Sequence, residues 1–244
     1  MTRQPGNPVD YGRRLRLGIL VPSGNVVAEP QINAMLPPEV AAYYTRLRLT
    51  GSSDAELEAM LAGLDSATEM LADARPDRLV FHCTAVTTAS PGTGTEITER
   101  MHKATGIPAI ATSHALEAAF AALGARKLVL LSPYLPAVHS REIEYLRAIG
   151  LDIVADDCLG IDTNTEMARL TPEWLYDFAV RNRSTEAEGY FLSCTALRSA
   201  EIIEELEAEL GRPVVTSNQA MVWHALRTGG VADPVPGYGR LLLR

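Results

Sequence analysis

Residues 79–86 read LVFHCTAV, and residues 190–197 read YFLSCTAL. Each is a short apolar run that ends on Cys-Thr-Ala, and the two cysteines, Cys83 and Cys194, lie 111 positions apart. Short apolar runs bounded by turn signals have the pattern of buried strands. Upstream, residues 15–21 (LRLGILV) form another such run, stopped by Pro22-Ser23-Gly24-Asn25. Residues 127–131 (KLVLL) form its counterpart, stopped by Ser132-Pro133-Tyr134. Pro22 and Pro133 are again 111 positions apart, and residues 107–113 (IPAIATS) resemble residues 212–217 (RPVVTS) at an offset near 104. Separate landmarks that share one offset indicate two structural copies in one chain.

Amphipathic stretches separate these runs. Residues 28–35 and 54–71 have helical spacing, the second through Leu57, Leu61, Leu64 and Met70, with an N-cap expected around Ser52, Ser53 and Asp54. Further helices are expected over residues 115–123 (closed by Gly124), 138–149 (closed by Gly150), 172–180 (Thr171 as cap, Pro172 first), 199–210 and 219–227. Strands are expected over residues 41–49, 78–82, 107–111, 152–155, 189–193 and 213–216. Gly92-Thr93-Gly94 reads as a turn, and the tail from Gly229 as a surface strap. Strands alternating with helices predict an α/β fold: two pseudo-symmetric Rossmann- or flavodoxin-like lobes, each with a parallel sheet, and an active site in the cleft between them. Residues 1–113, completed by the C-terminal helix in residues 218–244, form the first lobe; residues 114–217 form the second.

Composition narrows the function. The 244 residues are 47% apolar with a net charge of −8, which suits a packed domain and disfavours a nucleic-acid partner. No apolar run approaches the roughly 20 residues needed to span a bilayer, and the N-terminus lacks the apolar core of a secretory signal, so a cytoplasmic location is expected. Three cysteines, Cys83, Cys158 and Cys194, with no CxxC or HxxxH spacing, form neither a disulfide framework nor a zinc site, and no metal is expected.

In open parallel sheets, ligands sit beyond the carboxyl ends of the strands. Pro22–Asn25, Cys83, Ser132–Tyr134 and Cys194 all follow such ends, so the two cysteines should face one small ligand from opposite sides. Each Cys-Thr-Ala turn is expected to lead into a helix whose first N–H groups favour a thiolate or hold a carboxylate. Few Arg or Lys residues lie in these loops, which suggests carboxylates held by hydrogen bonds. Other polar residues read as structural: His82 as packing, since strand neighbours point to opposite faces; His114 and His224 as partly buried helix residues; Cys158 as filler; and the acidic run 201–209 as a solvated helix face.

The motifs GILVPSGN, FHCTA, SPY, DTNT, LSCTAL and PVVTSNQAMVW, spread over residues 15–227, resemble the aspartate/glutamate racemase superfamily, in its maleate cis-trans isomerase and arylmalonate decarboxylase branch. The resemblance implies an enzyme without cofactor or metal. It implies a cofactor-independent isomerase that uses a cysteine pair on a small dicarboxylate, foremost maleate to fumarate. Cys83 would be the nucleophile and Cys194 the proton donor and acceptor. Asn25, Tyr134 and Asn164 would hold substrate carboxylates, with Thr84 and Thr195 completing the pockets. A homodimer or higher oligomer would be in keeping with the superfamily. Two other readings stay open: a racemase or arylmalonate-type decarboxylase acting through an enediolate, and a non-catalytic binder of small ligands.

Overall fold

A computed structural model describes residues 9–51 and 54–244. In the first half the elements run β1 (Leu15–Pro22), α1 (Ala28–Met35), β2 (Val40–Leu47), α2 (Asp54–Ala62), α3 (Leu64–Ala72), β3 (Arg78–Phe81), α4 (Thr84–Thr87), α5 (Thr93–Thr105), β4 (Ala109–Ala111) and α6 (Thr112–Leu123). The second half runs β5 (Lys127–Ser132), α7 (Pro136–Ala148), β6 (Asp152–Cys158), α8 (Asn164–Met167), α9 (Pro172–Arg181), β7 (Gly189–Leu192), a 3-10 turn (Ala200–Ile202), α10 (Ile203–Leu210), β8 (Val214–Thr216), α11 (Ser217–Thr228) and α12 (Gly239–Leu242).

Two four-stranded sheets result, ordered β2-β1-β3-β4 and β6-β5-β7-β8, and every strand pair is parallel. The orders are the same once the second half is renumbered, which is the duplication that the shared offset announced. Central strands β1, β3, β5 and β7 are buried almost throughout, as parallel strands covered on both faces must be. Edge strands β2 and β6 are only partly buried.

One apolar cluster joins the halves. It takes Leu17 and Ile19 from β1, Leu128 and Leu130 from β5, and the facing residues of α6 and α11. Within it Phe120 of α6 meets Phe191 of β7 edge-on, with ring centroids 5.6 Å apart. Two further clusters fill the outer layers of the first and second halves.

Several local expectations need correction. The helix read over residues 54–71 is two helices broken at Gly63, and Met70, counted in its apolar stripe, is 59% exposed. Its proposed cap at Ser52 and Ser53 lies outside the described residues. Gly92-Thr93-Gly94 is not a simple turn: Gly92, at φ 94°, opens α5. That helix buries only Gly94, Ile97, Thr98 and Met101, too thin an apolar stripe to read from periodicity. A Cβ at Gly94 would collide with the Ser113 hydroxyl, so this glycine lets α5 approach α6.

The tail is not a strap on the surface. Leu241 and Leu242 are fully buried, and Gln219 Nε2 donates to the Tyr238 carbonyl at 2.6 Å. Glu207, read as part of a solvated acidic face, is only 5% exposed and accepts the N–H groups of Val214 and Arg240 at 3.0 and 2.9 Å. It anchors the tail. Among the described residues no helix is long and apolar enough to cross a membrane.

Candidate active site

The carboxyl ends of β1, β3, β5 and β7 converge. Pro22, Cys83, Thr84, Tyr134, Cys194 and Thr195 line one small cavity, closed by Asn164 and Met167 of α8 and by Leu49 and Gly51. Its volume of about 20 Å³ holds about one water molecule. Six of the seven site residues expected from sequence line it. The seventh, Asn25, stands one step behind: its Nδ2 donates to Thr195 Oγ1 at 2.9 Å. Its Oδ1 accepts the N–H groups of Val27 and Ala28, so the same side chain caps the entry to α1.

The two cysteine turns differ. Cys83 is the N-cap of α4, and its side chain makes no capping hydrogen bond there. Burial pushes it up to about 11, with the nearby backbone N–H groups of Val86 and Ala85 acting in the opposite direction. Cys194 does not enter a helix directly, contrary to expectation. Its φ is 112°, a region that residues with a Cβ rarely adopt. Its N–H donates to Ser217 Oγ at 3.2 Å, and its sulfur accepts the Ala196 N–H at 3.3 Å. Burial pushes Cys194 up to about 12, with Ala196 and the Tyr134 hydroxyl pulling it down and Cys83 pushing it up further.

That last coupling matters chemically. With both groups pushed that high, both sulfurs rest as thiols at neutral pH, and the charge that Cys83 would carry disfavours ionising Cys194 as well. Tyr134 is held well above its ordinary value by burial and by the neighbouring Cys194, Glu142 and Cys83, so it remains a neutral donor. Asn164 brings a second donor: it is 8% exposed, and its Nδ2 is buried without a hydrogen-bond partner. None of the residues lining the cavity is charged. The site is therefore a set of neutral donors around two thiols, suited to a small anion bound by hydrogen bonds. Among the described residues no three His, Cys, Asp or Glu side chains gather as a metal site would require.

His82 is not mere packing. It is fully buried between Thr112 Oγ1 at 3.0 Å and Asn218 Oδ1 at 2.8 Å, and burial pushes it down to about 4, so it is neutral. Three residues that sequence reasoning did not single out stand behind the cavity: Ser217, Asn218 and Glu142. The likeness of residues 107–113 to 212–217 pointed near the first two, since Ser217 ends that segment. Nothing marked Glu142.

The family model described as arylmalonate decarboxylase matches residues 17–242. The chain is similar to the maleate isomerase of Geobacillus stearothermophilus, 29% identical over 94% of this chain and 98% of that protein. It is 37% identical to the arylmalonate decarboxylase of Bordetella bronchiseptica over 59% of this chain and 62% of that one. Among solved structures it resembles a cysteine-to-serine variant of the Nocardia farcinica maleate cis-trans isomerase, which carries a covalently bound succinylcysteine intermediate. That match has a TM-score of 0.87 and 28% identity over 94% of this chain and 98% of that one.

Proposed function

The chain belongs to the arylmalonate decarboxylase family, and on that premise we propose how it works: it is an enzyme that isomerises maleate to fumarate by covalent chemistry at cysteine, with Cys83 as nucleophile and Cys194 as proton donor and acceptor. The observation that carries this reading is the pair of buried thiols, Cys83 and Cys194, lining one uncharged cavity. Cys83 has the smaller upward displacement, so of the two it is the easier to ionise. Cys194 then stays a thiol.

The Cys83 thiolate forms a carbon–sulfur bond to one olefinic carbon as the π bond breaks. Cys194 delivers its proton to the neighbouring carbon and becomes the thiolate. The adduct is a succinyl thioether, the species whose name the Nocardia relative's structure bears. Rotation about the new single bond carries the carboxylates from cis to trans. Cys194 then removes a proton, the double bond re-forms, and Cys83 leaves as thiolate. Tyr134 and the unpartnered Asn164 Nδ2 would hold the carboxylates, with Thr84 and Thr195 alongside and Asn25 orienting Thr195. The cavity as it stands holds about one water molecule, so it must widen to admit an eight-heavy-atom substrate. Three free cysteines support a reducing, cytoplasmic setting.

The test is proton NMR of maleate incubated with the enzyme in heavy water, alongside Cys83→Ala and Cys194→Ala. Fumarate formation by the wild type and its loss in both variants is expected. A decarboxylase working through Cys194 alone would tolerate Cys83→Ala, and absence of fumarate with wild-type enzyme would overturn the proposal.

A further inference from the structure

The first turn of α11 makes contacts that the catalytic cycle does not use. Its N-cap is self-sufficient: Thr216 Oγ1 accepts the Gln219 N–H at 3.2 Å, and Gln219 Oε1 accepts the Thr216 N–H at 3.3 Å. The next two side chains are thus free for other work, and each reaches both cysteine turns. Ser217 Oγ accepts from Thr84 Oγ1 at 2.8 Å, beside Cys83, and from the Cys194 N–H at 3.2 Å. Asn218 bonds His82 at 2.8 Å, the residue before Cys83, and donates to the carbonyl of Thr195 at 3.2 Å, the residue after Cys194.

The polarity of this network follows from its far end. The Leu197 carbonyl can only accept, so Gln31 must donate to it through Nε2, at 3.1 Å. Gln31 Oε1 therefore accepts from Asn218 Nδ2, at 2.7 Å. Asn218 then offers only Oδ1 to His82, whose Nε2 must carry the proton. His82 Nδ1 is left to accept from Thr112. Ser217, Asn218, His82 and Thr112 are all at most 1% exposed.

The geometry points to Ser217 and Asn218 as positioning residues that set the gap between the two thiols and hold Cys194 in its unusual backbone conformation, so that the carbon attacked by Cys83 and the carbon served by Cys194 stay in register. This role rests on the isomerase reading. Addition and elimination each need both sulfurs on adjacent carbons, but only elimination follows the rotation of the adduct. A loosened bracket therefore harms the return half of the cycle, when Cys194 must find the proton again after the adduct has rotated. The adduct on Cys83 should then outlive its normal turnover.

Ser217→Ala removes both Ser217 bonds and little volume. The expected result is a kcat lower by about tenfold to a hundredfold, the scale of a small misplacement of reacting groups, with KM changed far less. Intact-mass measurement after acid quench should show the fraction of enzyme one substrate heavier rising above wild type, and the solvent deuterium effect on kcat should grow as proton removal becomes limiting. Gln31→Leu, which releases Asn218 and touches the Cys194 segment only at the Leu197 carbonyl, should move the same readouts in the same direction. If wild-type enzyme makes fumarate while folded Ser217→Ala matches it in kcat and adduct fraction, the bracket is not a positioning device. If Ser217→Ala does not fold, an unaltered adduct fraction in Gln31→Leu rules the positioning role out equally. Failure of the wild type to make fumarate would instead strike the isomerase reading itself.

Discussion

The Ser193 hydroxyl donates to Glu142 Oε1 at 2.7 Å, which places a buried acid directly behind Cys194. Glu142 is 1% exposed, its Oε2 has no hydrogen-bond partner, and burial pushes it up to about 8, the Ser193 bond acting against that rise. The folded protein thus binds a proton at Glu142 that the unfolded chain gives up at the ordinary carboxylate value near 4.3. A raised pKa means stability is fully present below the unfolded value and drains away as pH rises toward 8, at about 1.4 kcal/mol per pH unit from this group. Glu142→Gln removes that dependence. Urea unfolding at pH 6 and pH 9 should show a falling midpoint for the wild type and a flatter one for the variant. Equal pH dependence in both would refute the assignment.

Asn164 carries a different trade. A buried donor without a partner costs on the order of 1–3 kcal/mol, and its Nδ2 is such a donor. Asn164→Leu should leave the melting temperature unchanged or raised, while KM for maleate rises at least tenfold. Calorimetry and steady-state kinetics on one preparation check both halves; a destabilised variant with normal KM would contradict the reading.

Cys194 is held at φ 112°, where a residue with a Cβ is strained by about 1–3 kcal/mol. Glycine escapes that strain. Cys194→Gly should be more stable than Cys194→Ala by about 1 kcal/mol, although both are inactive. Denaturant unfolding of the two variants reads the difference directly, and the reverse order would mean that the turn is unstrained.

Thiol reactivity should follow exposure and ionisation together. Burial displaces all three thiols upward, but Cys158 is half-buried at the end of β6 whereas Cys83 and Cys194 are both 4% exposed. Iodoacetamide should label Cys158 first, Cys83 second and Cys194 last. Since only the thiolate reacts, and Cys83 titrates near 11, its rate should climb about tenfold per pH unit between pH 7 and 9. Maleate should protect Cys83 and leave Cys158 untouched. Peptide mapping over a time course distinguishes this order from any other.

Much of this architecture is legible in the chain. The strand ends at Pro22, Phe81, Ser132 and Leu192 fall within a residue or two of where apolar runs meet turn chemistry, because those signals are local. The missed helix α5 shows the limit of that reading: a helix that faces mostly solvent leaves little periodic trace. The tail shows another, since Gly and Pro content marks turns but does not reveal that Leu241 and Leu242 turn inward.

The candidate site divides along the same line. Cys83, Thr84, Cys194 and Thr195 announce themselves through repetition, and Tyr134 and Asn164 through motif. Ser217 and Asn218 do not, for they meet their partners across 133 and 136 positions of chain. Glu142 reaches Ser193 across 51. Buried strands, turns and repeats are written in neighbouring residues, so the duplicated α/β plan and the identity of the two thiols can be read from the amino-acid order. Folding alone sets which polar groups bracket those thiols, the strained backbone of Cys194, and the burial that holds both sulfurs protonated. Those depend on how α11 and α7 dock against the sheets, and burial and through-space charge are properties of that docking.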